Sequence, residues 1–341
     1  MKKITIKDVA REAGVSVATV SNALNNADVV LPKTREHVLA VAQRLNYIPN
    51  VNGRRLRGTK SRTIGLFLRA IAGVYYGNLA ESMHYVLEEQ GYELQIYITE
   101  NVDKIIEKIA SHNLDGAIVH CGIREATDIQ RLEALAVPVV FLDMEITGTK
   151  FSSVLYESFE NGRMAAEYLL GLGHHDLMHI FGAPNNYDSI QRYDGFMQAL
   201  SEAGVSFRSE NLIHGRFERL TAYREMRRYL REGHKLPDAV FAANDHSAIG
   251  CIEALREAKL RVPEDISVIG CDDNVMCTFV HPELTTIRIR EDIQARCAAT
   301  ELLRLISEDG GRVVRLPGSI IVRGTCRIRR EAQKSGSIAS G

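Results

Sequence analysis

The chain has 341 residues, of which 42 are Lys or Arg and 43 are Asp or Glu, so its formal net charge is -1. Apolar residues make up 45% and charged residues 25%, which is typical of a folded chain with two or three domains and excludes extensive disorder. No run of 18 apolar residues occurs and the N-terminus lacks a signal-peptide core, so we expect a cytoplasmic protein without a membrane partner.

The charge is distributed unevenly along the chain. Residues 1–63 contain 12 Lys or Arg and 4 Asp or Glu, a surplus of eight positive charges, whereas the other 278 residues carry a surplus of nine negative charges. A basic segment attached to an acidic one indicates a polyanionic partner for the basic end. Charge by itself leaves both nucleic acid and an anionic membrane surface open.

The first fifty residues predict three short helices. A capping-box pattern at Thr5 begins the first helix, apolar residues follow at helical spacing, and Gly14 ends it. A second helix is expected from a cap at Ser16 to about Leu24, and two short helices joined by a glycine are typical of a helix-turn-helix. We expect Val17, Val20 and Leu24 to lie on one side of the second helix.

A third helix is predicted from Pro32, a favourable first-turn residue, to about Leu45. The three helices form either a small bundle with a solvated basic face or a DNA-reading head. The outer face of the second helix favours the head, because short hydroxyl and amide side chains fit a major groove. These side chains are Ser16, Ala18, Thr19, Ser21, Asn22 and Asn25.

Residues 50–58 form a basic stretch around a single leucine, Leu56. Gly53 and two Asn make it a poor isolated helix, so it is compatible with an exposed linker. The same stretch could also fold on DNA, with its arginines on phosphates and the leucine wedged into the minor groove.

From Thr63 onward, short apolar strands alternate with helix-length segments. The predicted strands are 63–68, 93–98, 115–120, 138–143, 177–181, 238–242 and 266–270, and a helix is predicted from about Tyr76 to Gln90. Strict alternation is typical of parallel sheets covered by helices on both faces, and more than 250 residues favour two such lobes. Residues 331–341 are expected to be a flexible tail.

Polar and aromatic residues follow the predicted strands at their carboxyl ends, where open parallel sheets bind ligands. The set comprises Tyr75, Tyr76, Asp143, Asn244 and Asp272, together with Arg192 in a loop-to-helix segment. Carboxylates, an amide, a guanidinium and aromatic rings suit a hydroxyl-rich or planar ligand such as a sugar. Each residue alone can equally be a helix cap, so the prediction rests on the set.

Enzyme and metal-site motifs are absent from the sequence: there is no G-x-S-x-G, no phosphate-binding G-K-[ST] loop and no H-E-x-x-H. We therefore predict no catalytic residues and no cofactor. The six cysteines lack metal-ligand spacing and are expected to be unreactive thiols. The run His174, His175, Asp176 is compatible with a metal, but no further ligand is spaced near it.

The head resembles that of LacI/GalR family regulators. The matching segments are Thr5–Ala10, Ala13–Ser16, Thr19–Ser21, Leu24–Asn25, Thr34–Arg35 and Leu45–Asn50. The resemblance implies that Val17, Ala18 and Asn22 read bases, while Ser16, Thr19, Ser21, Thr34 and Tyr47 hold the DNA backbone. Leu56 matches the hinge leucine that enters the centre of a two-fold operator, and Thr5, Asn25, Asn50, Arg54 and Arg55 complete the expected DNA contacts. Two departures are Leu31, where many members have a capping Ser, and Gly53, where Ala is usual.

The resemblance continues through the body, in segments such as Asn161–Ala166, Arg192–Phe196, Pro237–Asp245, Val262–Asp273 and Pro282–Ile287. It implies two periplasmic-binding-protein-like lobes joined by three crossovers, with the effector between them. Arg192 and Asp272 are then the strongest effector contacts, followed by Asn244, Asp143, Phe217 and the pair Tyr75 and Tyr76. Phe217 stands where sugar-binding members often have Trp, so a stacking face remains without an indole donor.

The sequence thus predicts an α/β protein with an N-terminal all-α helix-turn-helix head and a two-lobed parallel-sheet body. The expected divisions are residues 1–49 for the head, 50–62 for the hinge, 63–157 with 290–318 for lobe 1, and 158–289 with 319–330 for lobe 2. The function expected from the resemblance is a repressor that binds a double-stranded palindromic operator as a homodimer and responds to a small-molecule effector. A solute-binding sensor without a DNA role is the alternative; effector identity and the direction of its effect stay open.

Overall fold

The computed structural model describes residues 4–24, 29–47, 61–71, 74–111, 114–120, 123 and 125–329. The chain divides into two compact units, residues 1–61 and 62–341. Within the described ranges, no helix combines the length and the apolar character that a membrane crossing requires.

The first unit is helical, with α1 at Ile6–Ala13, α2 at Val17–Leu24 and α3 at Pro32–Arg44. Gly14 adopts the left-handed conformation, φ 65°, that a tight turn between two helices requires. The buried core consists of Val9, Ala10, Ala13, Val20, Ala23, Val38, Val41 and Ala42. Val17 lies at the edge of the apolar side of α2 and is 38% exposed, because Val20 and Ala23, three residues apart, define the buried face of the helix.

The second unit contains two six-stranded sheets. The strands are β1 Thr63–Leu68, β2 Glu93–Ile98, β3 Gly116–His120, β4 Val139–Leu142, β5 Phe151–Tyr156, β6 Leu177–Phe181, β7 Leu212–His214, β8 Ala239–Ala242, β9 Ser267–Asp272, β10 Thr285–Arg288, β11 Val313–Leu316 and β12 Ser319–Ile321. The helices are α4 Val74–Glu89, α5 Val102–Ser111, α6 Ala126–Glu133, α7 Ser158–Gly171, α8 Tyr187–Glu202, α9 Arg219–Arg231, α10 Asp245–Glu257 and α11 Glu291–Ser307.

Each sheet is the centre of one lobe. Lobe 1 has the strand order β11-β5-β4-β3-β1-β2 and lobe 2 the order β12-β10-β9-β8-β6-β7. In both lobes the sheet separates two apolar clusters, so helices cover it on both faces. The predicted α/β architecture is therefore confirmed. Since β11 and β12 return to different sheets late in the chain, the two lobes are connected by several crossings.

Two features of the sheets differ from the sequence prediction. β12 pairs with β10 in antiparallel orientation, so the sheet of lobe 2 is not entirely parallel. Five strands, β5, β7, β10, β11 and β12, were not predicted, because most have only three or four residues and β5 pairs with β4 without an intervening helix. Segments this short contain too few residues for a period-two pattern to stand out.

Candidate functional site

The polar residues at the start of α1 and α2 form local hydrogen bonds. The Asp8 carboxylate accepts hydrogen bonds from the Thr5 backbone N–H at 2.9 Å and the Thr5 hydroxyl at 2.7 Å. The Ser16 hydroxyl accepts from the Thr19 backbone N–H at 3.0 Å and lies 2.8 Å from the Thr19 hydroxyl. These contacts cap the helices and fix the direction of the two hydroxyl groups.

The side chains expected to contact DNA differ in their exposure to solvent. Ser16, Val17 and Ala18 are exposed at the start of α2, whereas Thr19, Ser21, Asn22, Thr34 and Tyr47 are half-buried. Leu31, at the start of α3, is 76% exposed and supplies no side-chain cap. The predicted contacts Asn25, Asn50, Arg54, Arg55 and Leu56 lie outside the described residues.

A cavity of about 270 Å³ lies between the two lobes, and we call it the inner cavity. All seven predicted effector residues line it: Tyr75, Tyr76, Asp143, Arg192, Phe217, Asn244 and Asp272. They come from α4, the end of β4, α8, the turn after β7, the start of α10 and the end of β9. The carboxyl ends of both sheets thus face one space, as open parallel sheets do at ligand sites.

The lobe 1 wall of the inner cavity is a hydrogen-bonded network. His120 Nε2 lies 2.7 Å from Asp143 Oδ2, and Gln294 Nε2 donates to Asp143 Oδ1 at 3.2 Å. The Tyr75 hydroxyl donates to Gln294 Oε1 at 3.0 Å and lies 3.3 Å from His120 Nε2. These bonds hold the four side chains in position, and the buried His120 Nδ1 has no hydrogen-bond partner among the described residues.

The pair His120 and Asp143 is stabilised in its charged form. Burial lowers the pKa of His120, but the Asp143 carboxylate and its hydrogen bond outweigh that effect and raise the pKa above its ordinary value. Burial raises the pKa of Asp143, but His120 and Gln294 outweigh it and the pKa is lowered. The two shifts have the directions expected of a buried ion pair.

The lobe 2 wall leaves polar atoms unoccupied. Arg192 is 3% exposed and donates from Nη1 to the Ala243 carbonyl at 2.6 Å, but its buried Nε has no hydrogen-bond partner within the described part of the chain. Asp272 Oδ1 is 3.8 Å from Arg192 Nη1, and the Asp272 side chain is 32% exposed. Burial raises the pKa of Asp272 well above its ordinary value, despite the opposing charge of Arg192. A ligand can therefore satisfy both groups.

Two glycines position Arg192 by allowing α7 and α8 to touch. A Cβ at Gly162 on α7 would collide with the Arg192 carbonyl oxygen, and a Cβ at Gly195 on α8 would collide with the Phe159 carbonyl oxygen. The backbones therefore approach more closely than any side chain permits. This contact fixes the part of α8 from which the guanidinium extends into the cavity.

Phe217 and Asn244 stand next to each other on the same wall. The Asn244 Oδ1 accepts from the Ser247 backbone N–H at 2.9 Å and caps α10, while its Nδ2 donates to the Phe217 carbonyl at 3.2 Å. Phe217 has a φ of 63°, an uncommon conformation for a bulky residue, and a Cβ at Gly182 would collide with its ring. Asn244 therefore has a structural role beside its predicted binding role.

Sequence reasoning missed several polar groups at the inner cavity or directly behind it, among them His120, Asp188 and Gln294. His120 ends β3 and Asp188 lies in the first turn of α8, where Ser158 donates a hydrogen bond to it at 2.6 Å. Gln294 lies in α11, 151 residues after Asp143 in the chain. The position of His120 at the end of a predicted strand could have indicated a cavity residue. No sequence pattern indicated Gln294, because a late chain crossover brings it next to Asp143.

No group of metal-ligating residues is found among the residues that the structure describes. His174 Nε2 lies 2.9 Å from the Arg327 carbonyl, and Asp176 pairs with Arg208 at 3.0 Å. Both are thus engaged in contacts within lobe 2. Cys251 and Cys271 are buried free thiols, and burial raises the pKa of Cys251 to about 12.

Comparison with known proteins finds similarity along the whole chain. Residues 5–50 match the model of bacterial regulatory proteins of the lacI family, and residues 166–326 match a periplasmic binding protein-like domain. The chain is 33% identical to the HTH-type transcriptional repressor PurR of Pasteurella multocida (strain Pm70) over 332 residues, 95% of this chain and 99% of that protein. It is 35% identical to PurR of Mannheimia succiniciproducens over 288 residues, 83% of this chain and 86% of that protein.

Solved structures of regulators are also similar to this chain over most of its length. The lac repressor dimer bound to operator and the anti-inducer ONPF aligns with a TM-score of 0.84 at 27% identity, covering 96% of this chain and 100% of that one. The complex of the transcriptional regulator CelR with cellobiose aligns with a TM-score of 0.72 at 25% identity, covering 94% of this chain and 99% of that one. These alignments cover both the helical unit and the two-lobed body.

Proposed function

Because the chain belongs to the LacI family of bacterial regulatory proteins, we propose that it is a DNA-binding transcriptional repressor controlled by a small molecule in the inner cavity. It is a regulatory protein and not an enzyme, in line with relatives that are named as repressors. The observation that carries the proposal is the convergence of seven predicted side chains from both lobes on one cavity, in a chain that begins with a helix-turn-helix.

The DNA-reading surface in this proposal is the outer face of α2. Val17 and Ala18 are exposed there with short side chains, and the Asn22 amide is half-buried on the same helix. Short side chains let a helix approach base edges closely, and an amide can bond adenine through two hydrogen bonds. The surplus of eight positive charges in residues 1–63 supplies the attraction to phosphates.

The effector proposed is a neutral, hydroxyl-rich ring compound, a sugar or a sugar derivative. Asp143, Arg192 and Asp272 supply acceptors and donors, while Tyr75 and Phe217 supply ring faces. Sugars present vicinal hydroxyls that carboxylates and guanidinium groups bind in pairs, and their apolar faces pack on aromatic rings. The CelR complex with cellobiose shows a sugar-type ligand on a related protein.

The control mechanism proposed is a population shift. A ligand that bonds Arg192 and Asp272 on lobe 2 and the His120–Asp143 network on lobe 1 favours the arrangement in which both walls touch it. In a homodimer, that arrangement sets whether the two copies of residues 50–62 can fold side by side on the operator. The ligand changes operator affinity only by the difference between its affinities for the two arrangements.

We also propose that the functional unit is a homodimer and that the lobes comprise residues 63–157 with 290–318 and residues 158–289 with 319–330. The strand pairing of the two sheets supports this division. Exposed apolar side chains on lobe 2, namely Leu220, Val275, Met276 and Phe279, support burial against a second copy. A two-fold dimer matches a palindromic operator.

Electrophoretic mobility shift with the DNA upstream of the protein's own coding sequence tests the proposal. We expect binding to a palindromic site, with an affinity that falls steeply as salt increases. Leu56→Ala should weaken binding to that site more than binding to random DNA, whereas Lys60→Ala, without a wedge role, should weaken both equally. Absence of salt-sensitive binding to any palindrome in that region would contradict the repressor function.

A further inference from the structure

Helices α8, α10 and α11 begin at the inner cavity, because they follow strands whose carboxyl ends meet there. The cap residues Asn186 of α8 and Asn244 of α10 line the cavity, and so does Glu291, the first residue of α11. Unpaired backbone N–H groups and the helix dipole make such ends positive, and phosphate or carboxylate groups bind them readily. With the guanidinium of Arg192 beside them, these helix ends by themselves would favour an anionic ligand.

Each of these helices, however, carries a carboxylate in its first turn. Asp188 lies in the first turn of α8 and Glu291 in that of α11, and both side chains line the inner cavity. Asp245 lies in the first turn of α10, where it is buried and accepts a hydrogen bond from the Thr286 hydroxyl at 2.5 Å. The positive helix ends are therefore offset by acidic side chains of the same helices.

Among the described residues, the charged basic side chains of the cavity lining already have carboxylates nearby. The pairs are His120 with Asp143 at 2.7 Å, Arg192 with Asp272 at 3.8 Å and Arg69 with Glu100 at 3.6 Å. Burial lowers the pKa of His246, which also lines the cavity, so its imidazole is neutral at neutral pH. The lining therefore holds no basic group that lacks an acidic neighbour.

Asp188 and Glu291 are the carboxylates that these pairs leave over. Asp188 accepts a hydrogen bond from the Ser158 hydroxyl at 2.6 Å, and Glu291 accepts one from the Asn78 amide at 2.9 Å. Both donors are uncharged, and neither carboxylate forms an ion pair within the described part of the chain. Burial, and then the nearby Asp143 carboxylate, raise the pKa of Asp188 to about 6, as expected where negative charge is in surplus. An added anion would increase that surplus.

The inner cavity also contains buried polar atoms that a hydroxyl group can satisfy. Arg192 is 3% exposed and Tyr156 is 2% exposed, and both line the cavity. Within the residues that the structure describes, the Arg192 Nε and the Tyr156 hydroxyl have no hydrogen-bond partner. A hydroxyl group can accept from Arg192 and donate to a neighbouring carboxylate, whereas an ionised phosphate or carboxylate can only accept. A cavity lined by surplus carboxylates therefore needs a ligand that donates.

We propose that Asp188 and Glu291 select against anionic ligands, so that the effector carries neither a phosphate nor a carboxylate group. The proposal rests on the proposed function, because it concerns the effector of the inner cavity. It narrows the ligand class from sugars and their derivatives to uncharged ones, and it excludes sugar phosphates and uronates. Both selecting residues act through charge, so amide variants of similar shape test them.

The first test uses inorganic phosphate as the probe and needs no knowledge of the effector. The melting temperature of the full-length protein is measured in phosphate and in chloride at equal ionic strength and a mildly alkaline pH. Phosphate should raise the melting temperature of the double variant Asp188→Asn/Glu291→Gln more than that of the parent, because the helix ends and Arg192 are then uncompensated. Adding Arg192→Ala should remove this gain. An equal response of parent and double variant overturns the proposal.

The double variant Asp103→Asn/Asp292→Asn is the matched control. Both residues lie in the first turns of helices, α5 and α11, and pair with Arg131 and Arg290, but neither lines the inner cavity. This variant loses the same number of negative charges and should respond to phosphate as the parent does. A gain as large as that of the cavity variant would mean that net charge governs the response, and it would refute selection by the cavity.

The second test uses matched sugars and calorimetry. Glucuronamide with glucuronate, and galacturonamide with galacturonate, are pairs of nearly the same shape that differ by one negative charge. For a sugar ring that binds, the parent protein should bind the amide at least about tenfold more tightly than the carboxylate. The Asp188→Asn/Glu291→Gln variant should lose most of this preference, whereas the Asp103→Asn/Asp292→Asn control should keep it. Equal affinity of the parent for both members of a pair contradicts the selection.

Failure of the proposed function gives a different result. If no sugar binds but the cavity variant alone gains a phosphate response that depends on Arg192, the sugar effector is wrong and the charge selection stands. If a uronate binds the parent as tightly as its amide and Arg192→Ala abolishes both, the proposed function stands and the selection is refuted. The mobility-shift assay reports the DNA role independently of both.

Discussion

The two walls of the inner cavity are constructed differently. In lobe 1, His120, Asp143 and Gln294 bond one another, and Tyr75 completes the network. In lobe 2, the buried Arg192 Nε has no hydrogen-bond partner among the residues that the structure describes, and Asp272 Oδ1 lies 3.8 Å from Arg192 Nη1. Under the proposed function, the lobe 1 network is therefore largely formed before a ligand binds, whereas on lobe 2 the ligand supplies a partner for Arg192; His120 Nδ1 is the one atom of the lobe 1 network that also lacks a partner among the described residues.

Because of this difference, substitutions in the two walls should affect different properties of the protein. Altering a side chain of the lobe 1 network should mainly change the stability of the ligand-free protein, because its bonds already exist. Under the proposed function, altering Arg192 should mainly change the response to effector, because the ligand gives its Nε a partner while Nη1 already donates to the Ala243 carbonyl. Single substitutions in each wall can contradict or support this division.

Arg192→Ala should abolish the rise in melting temperature that the effector causes, while operator binding in the mobility-shift assay persists. Loss of a buried guanidinium contact costs about 3 to 5 kcal/mol, which corresponds to more than a hundredfold in affinity. Arg208→Ala is the control, since Arg208 pairs with Asp176 and Glu210 in the same lobe and does not line the cavity. A normal effector response in Arg192→Ala would place the ligand elsewhere.

His120→Gln should destabilise the ligand-free protein by about 2 kcal/mol near pH 6, measured by chemical denaturation. The pKa of His120 is raised in the fold, so its stabilising contribution is present at low pH and is lost as the pH rises through that value. The difference between variant and parent should therefore shrink toward pH 9. His84→Gln, at an exposed pair with Glu88, should show almost no change. A larger effect on effector affinity than Arg192→Ala would reverse the roles of the two walls.

Asp188→Asn should stabilise the protein at pH 8 by roughly 2 kcal/mol. Burial, and then the nearby Asp143 carboxylate, raise the pKa of Asp188 to about 6, so its ionisation opposes folding as the pH rises from 4 through 6. Asn retains an oxygen that can accept the hydrogen bond from Ser158. Thermal melts between pH 4 and pH 8 should show the gain growing with pH and vanishing at pH 4.

Asp265→Asn is a control variant for which we expect the opposite change in melting temperature. The Arg261 hydrogen bonds lower the pKa of Asp265 to about 2, so its ionised form favours the folded state. Asp265→Asn should therefore lower the melting temperature above pH 4. If both Asn variants shift the melting temperature in the same direction, burial is not what governs Asp188.

Asn244→Ala should have the smallest effect, a loss of about 1 kcal/mol from the missing cap of α10. Asn244→Asp keeps an oxygen for the Ser247 backbone N–H and should retain most of the stability. Both variants should reduce effector affinity less than Arg192→Ala does, because both side-chain atoms of Asn244 already have partners. Melting temperature and calorimetric affinity for the effector, measured on the same samples, separate the loss of stability from the loss of binding. A drop in affinity as large as that of Arg192→Ala would give Asn244 a dominant binding role.

Local features of the protein can be predicted from its residues alone. Helix caps at Thr5 and Ser16, the turn at Gly14 and the apolar strands that precede Asp143 and Asp272 depend on residues a few positions apart. Such patterns fix secondary structure and the edge of the sheet at which a side chain emerges. The resemblance to a family of regulators then connected these features to DNA binding and a ligand cleft.

Which of these side chains act together depends on contacts between distant parts of the chain. Gln294 reaches Asp143 because α11 returns to lobe 1 late in the chain, and Arg192 is held in place because Gly162 and Gly195 let two helices touch. The inner cavity exists only where the carboxyl ends of both sheets meet, and the antiparallel orientation of β12 depends on its partner β10. Contacts between distant segments depend on chain crossings and close packing, and no local periodicity encodes them.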